Sequence, residues 1–195
     1  MKRKSILKTA LLTSLLSLTL VSTVSASTTQ SSEVDVGINP GEFSLTAPEV
    51  SKPFGAVELK AEAQKLHASF GGPFTVKDLR GTQEGWRLEV QADLLTNGTH
   101  TLPASSLTIE PVSNIVHASS VGGPGAEPTA LQTAPKPVDG GASVGLVSAP
   151  EGSGMGVYNI SLPDDALEVT VDAMTARTDG GVYETTLNWT LVQAP

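Results

Sequence analysis

Few residues in this chain are of a type that could carry bond chemistry, and their spacing argues against most of it. No cysteine occurs in the 195 residues. That removes a disulfide, a thiolate metal site, a cysteine nucleophile and a lipidated cysteine together. The three histidines, His67, His100 and His117, are scattered and fit neither His-x-x-x-His nor Glu-x-x-His, so a zinc site is unsupported. Gly141-Ala142-Ser143-Val144-Gly145 matches the nucleophile elbow of hydrolases. An elbow needs a strand before it, a helix after it and a later histidine, and all three histidines precede Ser143, so the match is read as chance. Asp164-Asp165 offers adjacent carboxylates for calcium, yet the twelve-residue loop pattern is absent and a solvated turn is the stronger reading. Carboxylates such as Glu110 and Asp172 show no acid/base pairing, and three Asn-x-Ser/Thr triplets receive no function. The expectation is a chain with no catalytic residue, no cofactor and no metal.

Binding chemistry has better candidates. Only 4% of the residues are aromatic, yet both tryptophans fall in Trp-x-Leu tripeptides, Trp86-Arg87-Leu88 and Trp189-Thr190-Leu191. Two indoles could form a platform on which sugar rings stack. Each one also lies on the apolar face of its segment, where burying a ring contributes a few kcal/mol, and the core reading outweighs the platform. Asp78 and Arg80 are two apart, close enough for a charge-assisted contact, and Gly81 lets the chain turn toward Trp86. A salt bridge or turn cap outweighs a ligand site there.

The elements that must hold these residues read as strands. From Phe43 onward, short runs of period-two alternation are broken by Gly, Pro and Asn about every ten residues, which predicts an all-β, antiparallel sandwich or open barrel with long Gly/Pro-rich loops. Trp86, Leu88, Val90 and Ala92 share one face of a strand, with Arg87, Glu89, Gln91 and Asp93 on the other. Asn97-Gly98 predicts a hairpin into a return strand through Leu102, Leu107 and Ile109, with Pro103 at an edge or a break. Leu167, Val169 and Val171 mark another strand, and Asp179-Gly180-Gly181 turns the chain into a last one whose inner face is Tyr183, Thr185, Leu187, Trp189 and Leu191. Val57 to Ala63 is expected to be a strand, against a helical alternative. His117 to Gly156, including Gly122 to Gly125, reads as long loops around one short strand at Ser143 to Ser148.

These residues resemble the WxL-domain surface proteins of Gram-positive bacteria. The resemblance rests on Val76-Lys77-Asp78-Leu79-Arg80-Gly81-Thr82 leading into Gly85-Trp86-Arg87-Leu88, on the Asn97-Gly98 hairpin, and on Tyr183 through Leu187, Trp189 and Leu191 to the final Pro195. It covers the chain from about Phe43 to Pro195, and residues 41–195 are taken as one WxL domain. What the resemblance implies is non-covalent attachment to peptidoglycan and, since such proteins are thought to assemble with others, a possible partner among other cell-surface proteins.

The destination is read from the residues. Lys2, Arg3, Lys4 and Lys8 precede an apolar run from Ala10 to Val21, followed by Val24-Ser25-Ala26, which is expected to be a signal peptide over residues 1–26. The run is shorter than the roughly 20 residues of a membrane span, so no membrane span is expected. Residues 27–40 are expected to be a flexible polar lead. Losing a leader with four basic and no acidic residues takes the formal charge from −8 to −12. Such a surface repels phosphate backbones, and no nucleic acid partner is expected. After Leu191 no sorting motif, apolar tail or basic stop is seen, so a secreted chain on the extracellular face of the cell wall is expected to be held there by its folded surface. The competing expectation is an adhesion or complex-forming protein held indirectly by a partner surface protein.

Overall fold

The computed structural model describes residues 30–118 and 127–193. The expected leader, the glycine cluster Gly122 to Gly125 and Pro195 lie outside the described residues. The chain divides at Gly37. Before that point the described residues are exposed and form no strand. From Ile38 on, every regular element is a strand, and the described residues contain no helix.

Thirteen strands occur among the described residues, in chain order: β1 (Phe43–Thr46), β2 (Val50–Lys52), β3 (Gln64–Phe70), β4 (Phe74–Asp78), β5 (Trp86–Ala92), β6 (Leu107–Ile109), β7 (Asn114–His117), β8 (Thr129–Ala130), β9 (Lys136–Pro137), β10 (Val144–Ala149), β11 (Gly156–Ser161), β12 (Leu167–Val171) and β13 (Leu187–Gln193). They form three antiparallel sheets, ordered β1-β4-β11-β7, β13-β5-β10-β8 and β2-β3-β12-β6-β9. None closes into a barrel, and the architecture is a sandwich.

Alternation builds the core. β5 buries Trp86, Leu88, Val90 and Ala92 and leaves Arg87 and Gln91 in solvent. β12 buries Leu167 and Val169. Aromatic contacts join the sheets: Trp86 meets Tyr158 of β11 at 6.0 Å between centroids, and Trp189 of β13 meets Phe74 of β4 at 4.4 Å and Phe70 of β3 at 5.7 Å. Offset and tilted pairs of this kind add stability beyond the area they bury.

Three local expectations are corrected. Val57 to Ala63 is not a strand, because β3 already pairs with β2 on one side and β12 on the other. Val57 and Leu59 are instead half-buried in a loop that Gln64 closes by donating its side-chain amide to the Glu58 carbonyl. The Asn97-Gly98 turn forms, with the Asn97 Oδ1 accepting from the Thr99 and His100 amides, but it does not return the chain along β5. After the Thr96 to Thr101 bridge the path breaks at Pro103, whose carbonyl accepts from Ser106 Oγ, and β6 pairs with β12 and β9 in another sheet. The last strand starts at Leu187, later than expected, because Glu184 bridges Thr96 and Thr185 Oγ1 donates to the Asp93 carbonyl.

Two chemical readings from the sequence also take shape here. Ser143 stands just before an antiparallel strand and donates to Glu89, so it belongs to no strand-to-helix elbow. Asp165 sits in a turn with φ of 57°, bonded to Lys52 at 2.7 Å, and that contact holds its carboxyl below the usual carboxylate range.

Candidate functional site

β13 lies against β5 with Leu191 opposite Leu88, Trp189 opposite Val90 and Gln193 opposite Trp86. The two Trp-x-Leu motifs therefore run in opposite directions on neighbouring strands, share the Leu88–Leu191 rung, and aim their apolar side chains at the same side of the sheet.

The two indoles are held differently. Trp86 is fully buried, and its indole N–H donates to the Gly154 carbonyl at 2.8 Å. Glycine is required on both sides of it. Gly85 has φ of 71°, and a Cβ there would collide with the Ala149 carbonyl; Gly154 has φ of 77°, and a Cβ there would lie 2.7 Å from the Trp86 Nε1. Trp189 is half-buried among Phe70 and Phe74, as Leu187 and Leu191 are half-buried beside it. Neither ring is presented as a free flat platform.

Asp78 closes on Arg80 through two parallel bonds, Nε to Oδ1 and Nη2 to Oδ2, each 2.9 Å. The remaining guanidinium N–H groups donate to the Gly85 carbonyl at 3.0 Å, Glu84 Oε2 at 3.2 Å and Gln193 Oε1 at 3.3 Å. All five donors are thus used. The guanidinium also stacks 3.8 Å above the Phe43 ring. One side chain thereby ties together β1, the end of β4, the approach to Trp86 and the end of β13. The Asp78 bond raises the Arg80 pKa further, so its charge is permanent. Gly81, with φ of 77° and open space around it, makes the turn that follows. This cluster is a junction between two sheets with no donor left for a ligand.

Concave surface occurs elsewhere, beside Tyr183. A cleft of about 340 Å³ is walled mainly by apolar side chains, among them Phe54, Val57, Leu59, Val169 and Val182. That volume is at the low end of ligand-sized clefts. Tyr183 forms part of its wall, and the phenol oxygen accepts the Arg177 backbone N–H at 3.0 Å. A second cleft shares Phe54, Leu95 and Tyr183 and extends to Leu187. Sequence alternation marks Tyr183, and Val57 and Leu59 as part of an expected strand, but gives no sign that the loop from Phe54 to Leu59 joins Tyr183, which happens only in three dimensions.

A family model described as WxL domain surface cell wall-binding matches residues 43–195. Neither the curated proteins nor the solved structures gave a match. The matched stretch runs from the first residue of β1 past the end of β13 and includes both Trp-x-Leu motifs, the Asp78–Arg80 junction and the Tyr183 cleft. The chain belongs to the WxL domain family of surface cell wall-binding proteins.

Proposed function

We propose that this is a secreted, non-catalytic module that attaches to the peptidoglycan of the Gram-positive cell wall without a covalent link. The family match over the whole strand-bearing region is the observation that carries this reading. The basic and apolar residues at the start of the chain support export through a cleaved leader over residues 1–26, and residues 41–195 are the attaching domain.

Within that domain we assign the Trp-x-Leu pair and the Asp78–Arg80 junction to building the fold. Contact with the wall falls to the Tyr183 cleft, which offers apolar walls and exposed Val182 at its rim. Chaotropic extraction of intact cells tests the mode of attachment. Release at the length expected for residues 27–195, with the wall undigested, is the expected result. Retention until the wall is enzymatically cut would mean a covalent link. A protein partner is the alternative anchor, and a pull-down that recovers a surface protein while bare wall retains nothing would favour it.

A further inference from the structure

The six outer strands of the three sheets are not equally protected. β2 and β9 carry Lys52 and the Lys136-Pro137 pair, β8 has two residues, and β1 and β7 have four each. Short length, lysine and proline are the usual devices that keep a sheet edge from recruiting another strand. β13 has none of them, although β1 approaches it where Arg80 touches both Phe43 and Gln193. It is an outer strand of seven residues, Leu-Asn-Trp-Thr-Leu-Val-Gln, with no charge and no proline.

The same chain carries a segment suited to that edge. Glu33 to Asn39 alternates Val34, Val36 and Ile38 with Asp35 and Gly37, and its three apolar side chains are 90%, 83% and 88% exposed. A period of two is the strand period, and these residues form no strand. Exposed single apolar residues need no explanation, but three in strand register, all in water, are a half-made pairing.

We propose that Glu33 to Asn39 of one molecule adds to the β13 edge of a second copy, joining molecules head to tail. The segment and the edge are both seven residues long. In register, Val34, Val36 and Ile38 extend the apolar face of Leu187, Trp189 and Leu191, while Glu33 and Asp35 fall on the wet face with Asn188 and Thr190. Backbone bonds supply the affinity and alternate side chains the register, as in other strand additions. A second copy is the favoured partner on geometry. The Gly41 N–H is bonded to the Leu79 carbonyl, and Arg80 touches both Phe43 and Gln193, so a segment lying on its own β13 would run parallel to it. Between copies it can run antiparallel, as the strands of all three sheets do, and antiparallel pairing is slightly the more stable. Each added copy presents a new edge and a new segment, so the contact is heterologous and does not terminate itself.

Sedimentation velocity on the chain as its producing cell delivers it tests this. The expected result is self-association that grows with concentration up to about 100 μM. Asp35→Pro with Val36→Pro, at exposed positions outside any strand, removes a ladder donor whichever of the two amides faces the edge, and abolishes it. Asn188→Asp with Thr190→Glu sets like charges against Glu33 and Asp35 and abolishes it independently. A mixture of the two variants regains a one-to-one dimer, because one retains the segment and the other the edge. A parent chain that stays monomeric throughout, a double-proline variant that associates like the parent, or a mixture that stays monomeric would each overturn the proposal.

Discussion

Leu88 and Leu191 stand directly opposite each other on antiparallel neighbours, and that single rung fixes where both tryptophans go. Trp86 lies two residues to one side of it and Trp189 two residues to the other, so each ring meets a different part of the facing layers: Tyr158 for the first, Phe70 and Phe74 for the second. Leu88 is fully buried and Leu191 half-buried. Leu88→Ala is expected to cost about 2 to 5 kcal/mol and Leu191→Ala less. Because they touch the same rung, the double variant departs from additivity by on the order of 0.5 kcal/mol or more, measured by urea unfolding.

The asymmetry between the indoles gives a second prediction. Trp86→Phe keeps a ring but leaves the buried Gly154 carbonyl without its donor, which costs about 1 to 3 kcal/mol on top of the volume lost. Trp189 donates its indole N–H to no protein acceptor among the described residues, so Trp189→Phe costs less. Equal losses in the two variants would show that the Gly154 bond contributes nothing.

Arg80 should not tolerate lysine. An ammonium keeps the charge but cannot bond Asp78 twice, reach Gly85, Glu84 and Gln193 together, and stack on Phe43. Asp78→Ala goes further and strips a largely buried guanidinium of its bidentate carboxylate, leaving Glu84 as its remaining counter-charge, an expected loss of about 3 kcal/mol. Thermal unfolding of the two variants checks the order, with Asp78→Ala the lower.

Alkaline pH offers a prediction with a definite sign. Burial of Tyr158, reinforced by Glu127 and Asp78, pushes its pKa up to about 12. The unfolded phenol ionises near its ordinary value of 10. Above that pH the unfolded state loses a proton that the native state keeps, so stability falls as pH rises from 10 toward 12, by on the order of 2 kcal/mol. Tyr158→Phe removes that slope, which unfolding curves across the window would reveal. An unchanged slope in the variant would assign it to other groups.

The sequence made the period-two strands legible because one face of each is dry. β5, β12 and the part of β13 from Leu187 follow from alternation alone, and the Asp78–Arg80 contact follows from two-residue spacing. What stayed hidden depends on distant partners. β8 and β9 have two residues each, too few to show any period, and exist because β10 and β6 accept them. Val57 to Ala63 alternates as a strand would but is held as a loop that Gln64 closes on Glu58, and Glu184 leaves the last strand because Thr96 lies beside it. The Tyr183 cleft is assembled from three stretches far apart in the chain, so no local pattern announces it.

At the cleft, Val182 is 77% exposed and lines the rim. Val182→Asp should leave stability within about 0.5 kcal/mol of the parent and weaken wall binding, a separation of fold from contact that no buried substitution can give. Undiminished binding by a folded Val182→Asp chain would move the contact away from this cleft.

The proposed attachment requires direct contact with bare wall. The measurement is co-sedimentation of the exported chain with sacculi stripped of teichoic acid and protein, at low and moderate salt. Recovery of the chain in the pellet at both, with release by excess soluble peptidoglycan fragments, is the predicted result; a chain that stays in the supernatant throughout contradicts it.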